Sequence, residues 1–321
     1  RVHRRRTKER MKPLVLASLL GVCGCAHLHV SYGDSSPLTI VQPSHDNDRW
    51  YLTSDIGQDS LWFVDTGYPI TTCDQSLADA LALPLKGRIR YRGAAGEGVA
   101  QKAALPSFHI GDHQIHGVRC MVRDLGASSS VSSAPEVQVL GVLGMDVLRH
   151  FRFSFDAKER VLLLEQPSEP SELPTKSSRA RLKRQLKTTV WIGDKRVRVL
   201  VDTGATDTQI PGKRLGLIPS KIHVGATLRG SGGVGWQVRD LTHYQETLRV
   251  EPFAYWNVEL TERIGGPSLL GLDVLNYANQ TWEPTSGRAL VVWSERGPGR
   301  PWRPSLKPSI QASSSPSNRA I

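Results

Sequence analysis

The sequence Leu-Trp-Phe-Val-Asp-Thr-Gly occupies residues 61–67, and Val-Arg-Val-Leu-Val-Asp-Thr-Gly occupies residues 197–204. In both stretches an apolar run typical of a β-strand leads directly into the same tripeptide. The repetition places two aspartates, Asp65 and Asp202, at equivalent positions in the two halves of the chain. The fold and the candidate site are predicted from this feature.

A second motif is repeated downstream of each tripeptide. Leu-Gly-Met-Asp-Val-Leu stands at residues 143–148 and Leu-Gly-Leu-Asp-Val-Leu at residues 270–275, so both halves present the two motifs in the same order. Self-similarity of this kind indicates an internally repeated architecture. We infer that the chain consists of two homologous halves that arose by duplication and are related by a pseudo-twofold axis.

The pattern within each half is typical of an all-β fold. Short stretches that alternate apolar and polar residues are separated by turns containing glycine, and residues 108–115 and 190–197 are predicted hairpins. Only short helices are predicted, at residues 75–82, 146–151 and 273–277. Helices of this size close lobes and do not form them, so two β-rich lobes are expected.

Composition divides the chain into these lobes and their connections. Residues 166–185 combine a stretch rich in Pro and Ser with basic side chains, which is typical of a linker. The linker separates an N-terminal lobe at residues 38–165 from a C-terminal lobe at residues 186–295. The tail at residues 296–321 is rich in Pro, Ser and Arg without an apolar period, which predicts disorder.

The N-terminal segment is typical of an export signal. Residues 1–24 begin with basic side chains and continue into an apolar run too short to span a bilayer. Met11 is an alternative start, in which case residues 1–10 lie upstream of the protein. The run ends in Val-Cys-Gly-Cys, which resembles the bacterial lipobox, so Cys25 is predicted to carry lipid; an ordinary signal peptide is the alternative. We expect a lipid-anchored protein of the bacterial cell envelope, on the periplasmic side or at the outer membrane.

The composition excludes several classes of protein. With 39% hydrophobic and 22% charged residues, the chain is neither disordered throughout nor collagen-like. The 41 Lys+Arg exceed the 30 Asp+Glu and give a formal charge of +11, but much of this surplus lies in the leader. The charge is therefore weak evidence for a nucleic-acid partner, and none is predicted.

The repeated tripeptide is suited to carboxylate chemistry. An aspartate at the end of an apolar strand is costly to bury in its ionised form unless hydrogen-bond donors meet it. Thr supplies a hydroxyl, and Gly supplies an unobstructed N–H and permits a turn that other residues resist. Two such loops facing each other would bring two carboxyl groups together, and the pair would share one proton because like charges that close do not both ionise. Such a pair can activate water against a peptide carbonyl.

Two apolar residues before Asp-Thr-Gly, with two apolar residues before Gly-x-Asp downstream, resemble the signature of aspartic peptidases, particularly the retropepsin-like bacterial families. The resemblance implies that each lobe is a closed acid-protease-like β-barrel. It also implies that Asp65 and Asp202 form the catalytic pair. Both lobes together cover most of the chain that follows the leader.

The resemblance implies roles for the neighbours of both aspartates. Thr66 and Thr203 are expected to hydrogen-bond across the interface between the lobes, while Gly67 and Gly204 orient the carboxylates. The Leu-Gly pairs of the second motif are expected to pack behind these loops. A mobile flap over the substrate would correspond to glycine-rich stretches in each half, whose candidate residues are Gly93, Gly96, Gly98, Gly230, Gly232 and Gly233.

One site departs from the family pattern. Tyr68 and Pro69 follow the first tripeptide where the family usually has Ala or Ser and then Ser or Thr, whereas Ala205 and Thr206 fit. Tyr is bulky, and Pro lacks a backbone donor. Two alternatives follow: a non-catalytic peptide-binding lipoprotein with a degenerate cleft, and a structural envelope protein whose Asp-Thr-Gly turns only brace the lobes.

The remaining chemistry-bearing residues are few. Cys73 and Cys120 would be able to pair in an oxidising compartment, and two separately buried thiols are the alternative. His109, His113 and His116 are predicted to be solvated hairpin residues, because no zinc-binding spacing accompanies them. We expect no metal and no cofactor.

The prediction is a monomeric aspartic endopeptidase that acts on peptides or proteins. Its water would be activated by Asp65 and Asp202 at the junction of the lobes. A monomer is expected because one chain supplies both acidic loops.

Overall fold

The computed structural model describes most of the chain between residues 27 and 294. The described ranges are 27–34, 37–39, 49–57, 61–93, 96–125, 139–156, 159–167, 177–182, 185–229, 236–250, 253–277, 279–285 and 288–294. The predicted export signal, Cys25 and the predicted disordered tail lie outside these residues.

The fold is all-β, as the alternating pattern predicts. Strands make up 55% of the structure, the helices are few and short, and the strands include a closed six-stranded barrel. No helix within the described ranges has the length and apolar character needed to cross a membrane. In chain order, the elements of the first half are β1 (His29–Ser31), β2 (Pro37–Thr39), β3 (Tyr51–Thr53), β4 (Leu61–Val64), β5 (Thr72–Asp74), α1 (Gln75–Ala80), β6 (Lys86–Gly93), β7 (Gly96–Ala104), β8 (Phe108–Ile110), β9 (His113–His116), β10 (Arg119–Arg123), β11 (Val139–Leu143), α2 (Met145–Leu148), β12 (Arg152–Asp156) and β13 (Val161–Glu165).

The second half continues the same kind of structure. Its elements are β14 (Ser177–Leu182), β15 (Leu186–Ile192), β16 (Lys195–Val201), β17 (Gln209–Ile210), β18 (Lys221–Arg229), β19 (Trp236–Val250), β20 (Phe253–Glu262), β21 (Ser268–Leu270), α3 (Leu272–Leu275), β22 (Asn279–Thr285) and β23 (Arg288–Ser294). The predicted hairpins are confirmed as β8–β9 and β15–β16. The three predicted short helices are confirmed as α1, α2 and α3, each with slightly different bounds.

The strand order is the same in both halves. The first sheet runs β3-β4-β11-β5-β10-β7-β6, and the matching region of the second runs β15-β16-β21-β17-β20-β19-β18. In each, the strand before Asp-Thr-Gly is parallel to the strand of the second motif. An added pairing of β15 with β19 closes the second ring into the six-stranded barrel. The first half has only the three-residue β3 at this place, and no pairing between described strands closes its ring.

A further sheet joins the two halves. Its order is β14-β23-β22-β12-β13-β2, and its central pairing of β12 with β22 places Phe153 opposite Trp282. Their rings stack at 5.6 Å between centroids, and such aromatic pairs contribute about 0.5–1.5 kcal/mol beyond the area that they bury. Trp50, from the first half, donates from its ring nitrogen to Asn276 Oδ1 of the second half at 2.7 Å. Strand β14 of this sheet lies inside the segment predicted as a linker.

The prediction that His113 is solvated is wrong. His113 is 2% exposed, and its imidazole contacts the backbone N–H of Gly33 and the carbonyl of Leu164. The alternating pattern of β9 turns this side chain inward, so both ring nitrogens exchange water for backbone partners. His109 instead pairs with Asp55 at the surface, and His116 contacts Ser31 and Ser107.

Cys73 and Cys120 form a disulfide in the structure, with 5.7 Å between their Cα atoms. Cys73 lies on β5 and Cys120 on β10, which are neighbouring parallel strands. The bond ties the strand that follows the first acidic loop to the strand beside it. Both cysteines are buried in the main core.

Replacing both cysteines with alanine is expected to lower the free energy of unfolding by about 2–4 kcal/mol, because the bond closes a loop of moderate length. The sequence separation of the two cysteines is 47 residues. Urea titration with and without reductant measures the change. Reductant should destabilise the native chain and leave the double variant unaffected; equal stability of both proteins without reductant would contradict the prediction.

Candidate active site

The two Asp-Thr-Gly loops leave their strands in the same way. Asp65 follows β4 and its backbone N–H donates to Leu143 O at 3.0 Å, while Asp202 follows β16 and donates to Leu270 O at 3.0 Å. Both acceptors belong to the second repeated motif. The parallel neighbours of β4 and β16 therefore fix where each aspartate emerges.

Two threonines connect the loops by reciprocal hydrogen bonds. The backbone N–H of Thr66 donates to Thr203 Oγ1 at 3.0 Å, and the N–H of Thr203 donates to Thr66 Oγ1 at 3.1 Å. Each hydroxyl in turn donates across the interface, Thr66 to Val201 O at 2.9 Å and Thr203 to Val64 O at 2.7 Å. Both threonines are buried, so these four bonds replace water for donors and acceptors that would otherwise be unsatisfied.

The glycines of the loops are required by the approach of the opposite carboxyl group. Gly67 N–H donates to Asp65 Oδ1 and Gly204 N–H donates to Asp202 Oδ1, both at 2.9 Å. A Cβ on Gly67 would lie 2.3 Å from Asp202 Cγ, and one on Gly204 would lie 2.5 Å from Asp65 Cγ. Neither glycine is among those with positive φ. Glycine is required at these two positions because a side chain would collide with the opposite carboxyl group, and not because the backbone turn demands it.

The two carboxyl groups face each other across the interface, since each lies against the glycine beside the other aspartate. Burial raises the pKa of Asp65 well above its ordinary value, and the negative charge of Asp202 raises it further. Burial also raises the pKa of Asp202, where the N–H of Gly204 and the charge of Arg263 act in the opposite direction. Two carboxyl groups that interact this strongly lose their protons as a pair, so the pair keeps one proton above the ordinary range of a carboxyl group.

Carboxylates of the second motif hold the loops from behind. Asp146 accepts from the Thr71 N–H at 2.9 Å and from the Thr71 hydroxyl at 2.8 Å. In the second half, Asp273 accepts from the Thr208 N–H at 2.8 Å and from the Thr208 hydroxyl at 2.7 Å. The repeated motif contains both aspartates, but the pattern alone predicts this support from the Leu-Gly pairs and not from the carboxyl groups.

The two threonine hydroxyls also accept hydrogen bonds from the backbone of the second motif. Gly144 N–H donates to the Thr71 hydroxyl at 3.3 Å, and Gly271 N–H donates to the Thr208 hydroxyl at 3.0 Å. A threonine six positions after each aspartate was the signal that sequence reasoning did not use. Gln185 is a further missed residue, since its amide donates to Gly67 O at 2.7 Å from within the predicted linker.

Tyr68 does not disturb the first loop. Its N–H donates to Asp65 O at 3.3 Å, and its carbonyl accepts from Met145 N–H at 2.8 Å. Ala205 makes the equivalent bonds, to Asp202 O at 3.2 Å and from the N–H of Leu272 at 2.9 Å. The tyrosine ring is half-buried beside the guanidinium of Arg123, at 5.8 Å. The bulky side chain therefore lies outside the loop, and the loop backbone makes the same hydrogen bonds as its counterpart in the second half.

The flap candidates are only partly described. Gly93 ends β6 and Gly96 begins β7, opposite each other in a hairpin. Gly98 lies against Tyr91, because a Cβ at this position would be 2.5 Å from the tyrosine hydroxyl. The other three candidates, Gly230, Gly232 and Gly233, lie outside the described residues. Among the described side chains, no group of His, Cys, Asp and Glu is arranged to hold a metal ion.

Part of the chain is similar to a known protein family. Residues 54–147 match the sequence model of a family described as aspartyl protease. The matched segment contains Asp65 with its Thr and Gly, and it ends within the second motif of the first half. No curated protein matches the chain. The match supports the aspartic peptidase family and a hydrolase function of that class.

Thr66→Val and Thr203→Val are each expected to lower the free energy of unfolding by about 1–3 kcal/mol, because either change leaves a buried N–H and a buried carbonyl without partners. Chemical denaturation measures the loss. Thr66→Ser is the matched control, since it keeps the hydroxyl and should retain most of the stability. The double valine variant should depart from additivity, because both side chains belong to one network. Additive small losses would contradict this.

Asp273 predicts how stability depends on pH. Burial, assisted by the charge of Asp207, raises the pKa of Asp273 to about 7. The folded protein therefore keeps a proton that the unfolded chain loses at about pH 4, so this stabilisation is complete below pH 4 and is lost as pH rises through about 7.

Urea denaturation between pH 4 and pH 8 is expected to show stability that falls with rising pH. Asp273→Asn should reduce the slope without removing it, because the buried Asp65, Asp146 and Asp202 also have raised pKa values. A slope identical to that of the native chain would contradict the assignment.

Proposed function

We propose that the protein is an aspartic endopeptidase whose catalytic groups are Asp65 and Asp202. The observation that carries the proposal is the facing pair of carboxyl groups, each at the end of a strand and held by an equivalent set of bonds. Burial and mutual repulsion oppose full ionisation of the pair, so one proton is shared. This is the protonation state that acid–base hydrolysis of a peptide bond requires.

The proposed chemistry needs only water and the two carboxyl groups. The ionised member accepts a proton from water as the water oxygen bonds to the peptide carbonyl carbon, while the protonated member donates to the carbonyl oxygen. The proton taken from water then passes to the leaving nitrogen as the C–N bond breaks, and a hydroxyl of the tetrahedral carbon returns a proton to the other carboxylate. The products are a carboxylic acid and an amine, and the pair again holds one proton.

The wider organisation is part of the same proposal. The identical strand order of the two halves supports their origin by duplication. Both loops belong to one chain, which supports action as a monomer on a peptide or protein substrate. Attachment to the bacterial envelope through a lipid on Cys25, and the absence of a nucleic-acid partner, stay predictions from the sequence.

The peptide-binding alternative becomes an outcome of the test. It was based on Tyr68 and Pro69, but the loop of Asp65 makes the same backbone bonds as the loop of Asp202. The geometry therefore favours catalysis over a degenerate cleft. The purely structural alternative predicts no activity for any variant.

Asp65→Asn and Asp202→Asn are each expected to lower kcat for peptide cleavage by at least 100-fold with folding retained, because neither leaves a pair able to exchange one proton. Cleavage of a broad peptide library, followed by mass spectrometry, measures the loss. Asp194→Asn is the matched control: Asp194 is an exposed aspartate in the β15–β16 turn and should retain full activity.

The pH profile of the native chain should be bell-shaped, rising as the pair loses its first proton and falling as it loses the second. Because the pKa of Asp65 is raised well above its ordinary value, the falling limb should lie well above the usual range of a carboxyl group. Turnover that persists in either asparagine variant would overturn the proposal. A native chain that binds library peptides without cleaving them would favour the peptide-binding alternative.

A further inference from the structure

The hairpin of strands β6 and β7 projects beyond the sheet of the first half. Strand β6 is the edge strand of that sheet and pairs only with β7 among the described strands. Strand β7 pairs with β10 from Ala104 to Gln101, and no pairing between described residues continues this ladder from Gln101 to the start of β7 at Gly96. The position of the outer part of the hairpin is therefore set by side-chain contacts.

Tyr91 connects this outer part of the hairpin to β10. It lies opposite Gly98 of β7, and a Cβ on Gly98 would be 2.5 Å from the Tyr91 hydroxyl oxygen. The ring therefore lies over the backbone of Gly98, in space that a side chain would occupy. Strand β7 lies between β6 and β10, and beyond it the ring meets Arg123 of β10, whose guanidinium carbon is 4.7 Å from the ring centroid.

Arg123 has a second aromatic neighbour, on the loop of Asp65. Its guanidinium carbon lies 5.8 Å from the ring centroid of Tyr68, the residue that follows the first Asp-Thr-Gly. A guanidinium within about 6 Å of an aromatic centroid is attracted to the ring, and more strongly where water is excluded. Arg123 is 7% exposed, so water screens this attraction little. Burial raises the pKa of Tyr68, so its ring is a neutral phenol at neutral pH.

Both neighbours of the hairpin in this chain of contacts are held by the backbone. Strand β10, which carries Arg123, is joined to β5 by the disulfide between Cys120 and Cys73 and by parallel pairing. The N–H of Tyr68 donates to Asp65 O. Tyr91, Arg123 and Tyr68 thus form an aromatic bridge from the hairpin to the first acidic loop.

The second half differs at one end of this bridge. Its hairpin of β18 and β19 also projects, because the pairing of β19 with β20 begins at His243 and leaves the stretch from Trp236 to Thr242 paired with β18 alone. The residue at the position of Tyr68 is Ala205, which has no ring. The second acidic loop is therefore unable to form the same bridge, and its hairpin serves as an internal comparison.

We propose that Tyr68 is a positioning residue that holds the β6–β7 hairpin against the loop of Asp65 through Arg123 and Tyr91. The inference deepens the proposed function and rests on it in one respect: this hairpin would cover a peptide bound at the carboxyl pair. A hairpin already held in place lowers the cost of ordering it on binding. The residue that departs from the family pattern thereby has a task that the smaller Ala205 does not perform.

Hydrogen exchange of backbone amides tests the inference without any need for turnover. Tyr68→Ala should speed exchange in the outer parts of β6 and β7 at least about threefold, because the hairpin opens more often once one ring is removed. Tyr68→Phe should restore the native rate, since phenylalanine keeps the ring face. The amides of the β18–β19 hairpin are the internal control and should exchange as in the native chain.

A double-mutant cycle tests whether the two rings act together. Arg123 has further partners besides the rings, so the cycle changes the rings and leaves the arginine in place. Tyr91→Leu keeps an apolar side chain over Gly98 and should speed exchange of the same amides. Adding Tyr68→Ala to it should change the rates little, because either substitution alone breaks the one bridge.

Three results would overturn the inference. The first is exchange in β6 and β7 that Tyr68→Ala leaves unchanged. The second is equal acceleration in both hairpins, which a general loss of stability would produce. The third is fully additive effects of Tyr68→Ala and Tyr91→Leu.

Activity supplies a separate readout. Tyr68→Ala should raise KM at least about threefold and keep kcat within about twofold, because the substrate must now order the hairpin as it binds. Tyr68→Phe should return KM to the native value. A fall in kcat at unchanged KM would contradict the inference, since it would mean that Tyr68 acts on the carboxyl pair. If the native chain cleaves no peptide, the proposed function fails while the exchange rates still decide the role of Tyr68.

Discussion

The reciprocal hydrogen bonds of Thr66 and Thr203 are the constraint on which the site depends. Each threonine donates to a carbonyl of the opposite strand and accepts from the opposite backbone, so neither loop is complete by itself. Because both threonines are buried, the loss of any one partner leaves a polar group without a hydrogen bond and costs its full desolvation penalty. These bonds hold the two carboxyl groups close together, and the same burial raises their pKa values.

Symmetry in the backbone coexists with asymmetry in the side chains. The two loops share strand order, exit geometry and the carboxylates that support them from behind. Tyr68 and Ala205 differ in volume at one equivalent position, although their backbone groups make equivalent bonds. A departure from the expected family pattern, which at first suggests damage to the first lobe, thus leaves the backbone of the first loop like that of the second.

The features that repeat are predictable from the sequence, whereas those that depend on the register of paired strands are not. The paired tripeptides predicted Asp65, Asp202 and their threonines because each motif is local and occurs twice. The pairing of Cys73 with Cys120 stayed open, since a disulfide needs Cα atoms within about 7 Å and the sequence holds no such distance. The bonds that Asp146 makes to Thr71 and Asp273 to Thr208 depend on how distant strands pair, which periodicity does not encode. The sheet shared by both halves was missed for the same reason.

The crossed placement of the glycines makes each loop sterically dependent on the other. Gly67 leaves room for Asp202, and Gly204 leaves room for Asp65, so a larger residue in one half displaces the carboxyl group of the other. A side chain at either glycine is therefore accommodated only if the opposite carboxyl group moves, so neither position is able to change by itself.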